Sequence, residues 1–583
     1  MPNYTEYSPL ANAFAEMVAR RAGLADDATL LALLKALTHS MEESHSALDV
    51  QAWCVQAKEN ELPLAQKALE ILRETPEQWN TVVDAQDRDD DIRPVVWCQR
   101  TGLLYLRKYR QAEKAIGAFV RQRLGNNRLP GYDTPPEEAV QAVSRNFLSA
   151  ESAAQRRAVQ AAYGKRLAMV TGGPGTGKTT TLGAILALEL QKTPALRIAL
   201  CAPTGKAAAQ MRIALQEQLQ GESGKPAVLQ CDDGIRQTLN ALLPTTVHKL
   251  LGTAPHRQGI PRFHHANPLP HDLVVVDEGS MVDLLLFHKL LDALPDTTRL
   301  LLLGDKDQLA SVAPGAVFAE LASVLQTHDC YQWLTYNFRS RAIPELVEFA
   351  SRLAEHDFST ATTQATALYG QSGNTAIFQA EPLPQHNQWE QELRKLKNAW
   401  NLAKPPAGSS PDAYLDFQEE WKILCAVNDG PCGVTQLNDL LAKILEIPAQ
   451  GDGMPMMLTR NDALSGLQNG DVGVFCQGKL WFRQVDKATG EFILRSYLPA
   501  QLPECVPAFA ITIHKSQGSS YRNVLVILPD APENPLLNLN LVYTAITRAR
   551  KRCRIWAAPS VLQHAITTLT HRTGALAKCC LGE

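Results

Sequence analysis

The sequence predicts an α/β protein built on parallel sheets, preceded by a mainly helical N-terminal region. Three observations predict it. The run Gly172-Gly173-Pro174-Gly175-Thr176-Gly177-Lys178-Thr179 fits G-x-x-x-x-G-K-[ST], the loop that wraps polyphosphates. An apolar stretch at 167–170 before it reads as a buried strand, and 180–190 after it reads as a helix. From about residue 145 similar apolar runs recur at helix-sized intervals, at 196–201, 273–276, 300–303, 423–426, 509–513, 524–528 and 554–556. Runs of that kind belong to parallel sheets covered on both faces.

The chain has 583 residues, too many for one ordinary core, so several domains are expected. At 45% hydrophobic and 20% charged residues it has the composition of a globular protein. The net charge of −3 gives no global basic signal, which leaves room for a local basic groove. No apolar stretch approaches the ~20 residues of a membrane span, and the first residues lack the pattern of a signal peptide. The 12 cysteines are scattered and form no C-x-x-C pair, which argues against a zinc or iron–sulfur site. Reduced thiols and a cytoplasmic location are the expectation.

Taken in order, residues 1–112 form an N-terminal domain. Helices are expected at 10–22 and 27–39, and a hairpin at 95–98 and 103–106. The Asp-rich run 84–91 between them reads as a solvated loop. Residues 113–144 read as a linker, with prolines, glycines and asparagines across 125–138. The first parallel-sheet domain spans 145–340, with a Pro- and His-rich insertion near 253–271. The second spans 341–583. Within it, turn signals at Asn469-Gly470, Gln477-Gly478 and Thr489-Gly490 suggest a small β-barrel inserted near 453–506.

The chemistry is concentrated at strand ends. A phosphate loop presents backbone N–H groups at a helix N-terminus, where the helix dipole favours anions, and its glycines let the backbone approach the phosphates. Lys178 is expected on the β- and γ-phosphates and Thr179 on Mg²⁺. The strand at 273–276 ends in Asp277-Glu278, placed to serve the metal and the attacking water. Gln308, at the exit of the strand at 300–303, is placed to sense the γ-phosphate; without its context Gly304-Asp305-Lys306-Asp307-Gln308 would be only a strand-exit turn. Arg339 and Arg548 are candidates to stabilise charge on the transferred phosphoryl group, although an isolated arginine is usually a solvated charge.

The ordered set GGPGTGKTT (172–180), CAPTGKAAAQ (201–210), TTVHKLLG (245–252), VVVDEGSM (274–281), LLGDKDQLASVAPG (302–315), TYNFRS (335–340), FAITIHKSQGSSY (509–521) and VYTAITRARKR (542–552) resembles the superfamily 1 DNA helicases. It closely resembles the RecD family, subunits of the RecBCD (exodeoxyribonuclease V) complex. The resemblance covers roughly 145–560. It implies two RecA-like P-loop domains with an ATP site in their cleft, an SH3-like barrel at 453–506, and a strand-separating pin at the first insertion. It also implies 5′→3′ travel in double-strand-break repair and homologous recombination, on single-stranded and duplex-end DNA. RecB-like and RecC-like partners would dock on 1–112, and any nuclease activity would reside in a partner. Motif II reads Asp277-Glu278-Gly279-Ser280, with glycine where the family commonly has alanine.

Residue by residue, the resemblance implies that Gln155 reads adenine and that Gly172 through Thr180 hold the phosphates. Lys178, Asp277, Glu278, Gln308, Arg339 and Arg548 would carry the hydrolysis, with Thr179 and Asp277 on Mg²⁺. Thr204, Lys206, Thr246 and His248 match motifs that touch the single strand. Thr512, His514, Lys515 and Gln517 match the motif that joins DNA grip to the state of the nucleotide. A non-motor ATP-switched regulatory subunit and a stand-alone helicase are the alternatives. A kinase would leave HKSQG and TRAR without a role.

Overall fold

Helix caps open the N-terminal region. Ser8 accepts from the Ala11 N–H and Asp27 from those of Thr29 and Leu30, at the starts of helices Pro9–Arg21 and Ala28–Glu42. The computed structural model describes residues 7–221, 226–253, 260–339, 343–370, 377–385, 387–402, 404–462, 464–484 and 493–583, with backbone alone at 485 and 492. A small sheet joins the helices: β1 (Leu48–Asp49), β2 (Val83–Asp84), β3 (Val95–Cys98) and β4 (Leu103–Leu106), in the order β1-β4-β3-β2. The antiparallel β3–β4 pair is the expected hairpin.

The run 84–91 is not simply a solvated loop. Asp84 is fully buried, accepting from Arg107 at 2.9 Å and Arg93 at 3.1 Å. Burial alone would raise its pKa; the Arg107 bond and the Gln86 and Arg88 N–H groups bring it below the ordinary value. Residues 113–125 are not linker either. They complete helix Arg107–Gly125, which buries Ala112, Ile116 and Val120 along one face.

The first large sheet holds β5 (Leu167–Gly172), β6 (Ile198–Ala202), β7 (Thr245–Thr246), β8 (Leu273–Val276), β9 (Arg299–Gly304) and β10 (Tyr331–Leu334). All pairs are parallel, in the order β10-β5-β9-β8-β6-β7. Gly172 pairs Leu334, Thr171 pairs Gly304, and Val276 pairs Leu302. The loops leaving β5, β8, β9 and β10 therefore emerge along one edge, where ligands of open α/β sheets bind. Of the first insertion, 254–259 lie outside the described residues; Arg262 and Phe263 donate their N–H groups to the Leu251 carbonyl.

The second large sheet begins with β11 (Phe378–Glu381) and β12 (Trp421–Cys425). Five antiparallel strands then intervene: β13 (Pro455–Leu458), β14 (Val472–Cys476), β15 (Lys479–Val485), β16 (Phe492–Tyr497) and β17 (Cys505–Pro507). Their order is β16-β15-β14-β13-β17, and among the described residues β16 and β17 do not pair with each other. The chain then adds β18 (Ala510–Thr512), β19 (Tyr521–Ile527) and β20 (Ala549–Trp556), completing a parallel sheet in the order β11-β20-β19-β12-β18. The last residues cross back to the N-terminal region. The Thr573 carbonyl accepts from the Ser46 and Ala47 N–H groups, and buried Glu113 accepts from the Ala575 N–H and the Ser46 hydroxyl.

Candidate nucleotide cleft and strand-facing row

The phosphate loop leaves β5 and turns into helix Lys178–Lys192. Gly175 and Gly177 both have φ of +83°, a left-handed conformation that strains any residue with a Cβ. The loop is also crowded. A Cβ on Gly177 would run into Gln155 Nε2, and one on Gly175 would stand 2.5 Å from Arg339 Cβ. Gln155 donates to the Thr176 carbonyl at 3.2 Å, and its buried Oε1 has no partner. Lys178 Nζ donates to the Gly172 and Gly173 carbonyls at 2.6 and 3.2 Å, holding its ammonium at the mouth of the loop.

Asp277 and Glu278 follow β8. Asp277 Oδ1 accepts from the Glu278 N–H at 2.8 Å. Burial, then the Glu278 charge, push the Asp277 carboxyl up to about 6, while Lys178 opposes the shift. Glu278 adopts φ +50°, a strain worth roughly 1 kcal/mol or more for a side chain of its kind. Its Oε2 is buried and unpartnered. A Cβ on Gly279 would lie 2.7 Å from the Phe318 ring, so glycine at this place in motif II matches a phenylalanine packed beneath it.

The β9 exit reaches across to the second sheet. Gln308 Nε2 donates to Asp305 Oδ2 at 2.8 Å, and its Oε1 is buried without a partner. The second sheet's helix Leu539–Ile546 meets this segment at three points. Asn540 donates to the Asp307 carbonyl at 2.8 Å, the Thr544 hydroxyl accepts from the Leu309 N–H at 2.9 Å, and the Tyr543 hydroxyl donates to Asp305 at 3.2 Å. Asp305, Asn540 and Tyr543 were not among the residues chosen from the sequence, although Asp305 and Tyr543 lie inside the quoted motifs.

The two arginines approach from opposite sides. Arg339 follows β10, where the Phe338 N–H donates to the Gly175 carbonyl at 2.9 Å and Asn337 to the Pro174 carbonyl at 3.0 Å. Its Cβ packs on the loop at Gly175, and the residue as a whole is exposed. Arg548, 2% exposed, donates to the Thr544 and Ser519 carbonyls at 2.9 and 3.2 Å, leaving Nη2 unpartnered. Burial lowers its pKa and the Glu278 and Asp305 charges oppose that. Burial first, then the like charges of Arg550 and Arg548, lower the Arg339 pKa, and the same Glu278 opposes them. Lys178, Glu278, Arg339 and Arg548 thus share one cleft.

The remaining predicted residues form a row at the same ends of the strands. Thr204 and Thr246 cap helices Gly205–Gln220 and Val247–Leu250, accepting from the Ala207 and Lys249 N–H groups at 3.2 Å each. Thr512 accepts from the Lys515 N–H at 3.3 Å. Lys206 donates to the Ser519 hydroxyl at 2.5 Å, and Gln517 to the Leu309 carbonyl at 2.7 Å; both bonds cross between the sheets. His248 and Lys515 are exposed and His514 is half-buried. Burial first, then Arg572, lower the His514 pKa.

For Mg²⁺, the sequence expectation names the Thr179 hydroxyl and the Asp277 carboxylate, which would be its donors. Hard oxygens of this number suit an ion that takes its other ligands from phosphates and water. A nucleotide likewise fits a glycine cradle ringed by four unpartnered buried polar atoms, on Gln155, Glu278, Gln308 and Arg548.

Two parallel sheets meeting at one phosphate loop, with an arginine from each, are the architecture of a two-lobed P-loop ATPase, and this chain's relatives make it an ATP-dependent DNA helicase. Family descriptions agree: "AAA domain" matches residues 155–314 and "UvrD-like helicase C-terminal domain" matches 507–556. The RecBCD enzyme subunit RecD of Mycolicibacterium smegmatis is 35% identical over 495 residues, 82% of this chain and 82% of its own. The protein of the same description from Haemophilus influenzae is 32% identical over 549 residues, 85% of this chain and 82% of its own. The ATP-dependent RecD2 DNA helicase of Deinococcus radiodurans is 30% identical over 466 residues, 77% of this chain and 54% of its own. The chain belongs to the RecD family.

Proposed function

We propose that this chain is the motor subunit of a RecBCD-type heterotrimer. It hydrolyses ATP with Mg²⁺ in the cleft, moves 5′→3′ along one strand of DNA entered at a duplex end, and serves double-strand-break repair and recombination. The observation that supports the motor is that elements of two different sheets bring an arginine to one phosphate loop: Arg339 packs on Gly175 from the β10 exit, and Arg548 is held at the end of the helix whose Tyr543 reaches Asp305 and Gly173.

The residues divide the work as follows. Gln155 reads the adenine with its open Oε1. Gly172 to Thr180 surround the phosphates, and Lys178 leaves the loop carbonyls for the β- and γ-oxygens. Mg²⁺, held by Thr179 and Asp277, would neutralise charge across those oxygens. Glu278 and Gln308 orient the attacking water. Arg339 and Arg548 stabilise the charge that develops, and their closure ties hydrolysis to the approach of two RecA-like domains, 145–340 and 341–583. The strand runs past Thr204, Lys206, Thr246 and His248 on one side and Thr512, His514, Lys515 and Gln517 on the other, gripped with little sequence preference. The antiparallel insertion at 453–506 acts as the SH3-like module beside that track; Gln468 already sits 2.6 Å from where a Cβ on Gly205 would stand. Residues 1–112 dock the RecB-like and RecC-like partners.

The test is unwinding of duplexes carrying a 5′ or a 3′ tail, with ATPase measured in parallel. Wild-type protein is expected to open the 5′-tailed substrate, and Lys178→Gln to lose both activities while still binding DNA. Wild-type turnover in Lys178→Gln would refute the assignment of the cleft; preference for the 3′ tail would refute the polarity.

A further inference from the structure

We propose that Tyr543 is a positioning residue for ATP hydrolysis, holding Gln308 in its working orientation through Asp305 only while the second sheet is docked on the first. The inference rests on the nucleotide reading of the cleft and assigns a role to two residues that reading leaves idle.

One carboxylate oxygen organises the arrangement. Asp305 Oδ2 accepts from Gln308 Nε2 at 2.8 Å and from the Tyr543 hydroxyl at 3.2 Å, while Oδ1 accepts from the Asp307 N–H at 3.2 Å. Because the Gln308 nitrogen is spent on Asp305, its oxygen must face the other way. That oxygen is buried and has no partner. A water attacking a phosphorus atom must be held in line by a hydrogen-bond acceptor, and a buried amide oxygen of fixed direction supplies one, while the proton passes to a carboxylate such as that of Glu278. Rotation of the Asp305 carboxylate would turn the amide and misplace that acceptor.

Tyr543 opposes the rotation by supplying the second donor to Oδ2. It is 5% exposed, and burial first, then the Asp305 and Asp307 charges, keep its hydroxyl protonated and therefore a donor. The same oxygen stands 2.7 Å from where a Cβ on Gly173 would be. The phosphate loop, the β9 exit and a helix of the second sheet therefore meet at one hydroxyl. Separation of the sheets withdraws it, and Asp305 is left with one donor fewer. Neighbouring bonds isolate the effect. Asn540 to the Asp307 carbonyl, Thr544 to the Leu309 N–H and Gln517 to the Leu309 carbonyl hold the 305–309 backbone without help from Tyr543.

The experiment is a double-mutant cycle of Tyr543→Phe and Gln308→Ala, read as steady-state ATPase with Mg²⁺ and a thymidine oligonucleotide. Tyr543→Phe alone should lower kcat about tenfold, the loss of one positioning hydrogen bond, with KM for ATP changed by less than about twofold. In the Gln308→Ala background the same change should cost less than about twofold, because the group it positions is gone. A merely structural tyrosine would carry its full penalty into the second background. If Tyr543→Phe melts early, Asp305→Ala, which removes the acceptor shared by Tyr543 and Gln308, takes its place in the cycle and should likewise lose most of its penalty in the Gln308→Ala background. Undiminished kcat in Tyr543→Phe, or penalties that multiply, would overturn the inference while wild-type turnover left the cleft reading standing. No turnover in the wild type would sink both.

Discussion

The nucleotide cleft and the strand-facing row lie side by side on the same strand ends, yet they treat polar atoms in opposite ways. In the cleft, Gln155 Oε1, Glu278 Oε2, Gln308 Oε1 and Arg548 Nη2 are buried and unpartnered. Each such atom costs about 1–3 kcal/mol, and a fold that keeps several in one place keeps them for a ligand that completes them. Along the row, the hydroxyls of Thr204, Thr246 and Thr512 already accept backbone N–H groups, and Lys206 and Gln517 are bonded across the sheets. The cleft is thus built for specific recognition of one small molecule. The row is a shaped surface, suited to a polymer held by charge and contour.

The largest test of that contrast is Arg339→Ala. Its side chain makes no hydrogen bond among the described residues, so the melting temperature should stay within about 2 °C, while DNA-stimulated kcat falls by about 10³ or more, as for an arginine that stabilises a transferring phosphoryl group. Arg548 carries two carbonyl bonds besides, so its removal would mix the same loss with destabilisation. A modest, severalfold loss in Arg339→Ala would mean the cleft is completed by some other cation, and the contrast would weaken.

Next in size is Lys515→Ala. Lys515 is an exposed cation of the row and has no bond from its ammonium among the described residues. If the row works by charge, affinity for single-stranded DNA should fall severalfold, about equally for all sequences, and the slope of log affinity against log salt should shrink by about one. Loss confined to particular base sequences would show that the row reads bases.

Much of this was legible in the sequence because it is local. Each of the eight apolar runs became a strand of a parallel sheet, since a strand buried on both faces is apolar at every position. Glycine spacing gave the loop, and strand ends gave Asp277 and Gln308. What escaped was long-range. Nothing local marks Asp84 as buried; two arginines, nine and 23 residues on, make it so. Nothing in 568–583 foretells its return to Ser46 and Glu113. The short Tyr331–Leu334 stretch, interrupted by Gln332, becomes an edge strand only by pairing with β5. Tyr543 lies in an apolar helix, where an aromatic has an obvious core role, and its partner Asp305 is 238 residues away.

The finest distinction concerns Thr204. As an N-cap it satisfies a backbone donor of helix Gly205–Gln220, and removing such a cap costs about 1 kcal/mol. Thr204→Ala should therefore lower the melting temperature by a few degrees. It should leave DNA affinity within about threefold, measured at a temperature where the variant is folded. Thr204→Ser, which keeps the cap, should restore the stability. The opposite pattern, unchanged melting with DNA binding weakened tenfold or more, would mean that the hydroxyl leaves the Ala207 N–H for a phosphate when a strand is present. The row would then resemble the cleft, holding a polar group for its ligand, and the boundary between the two regions would have to be redrawn at the level of single bonds.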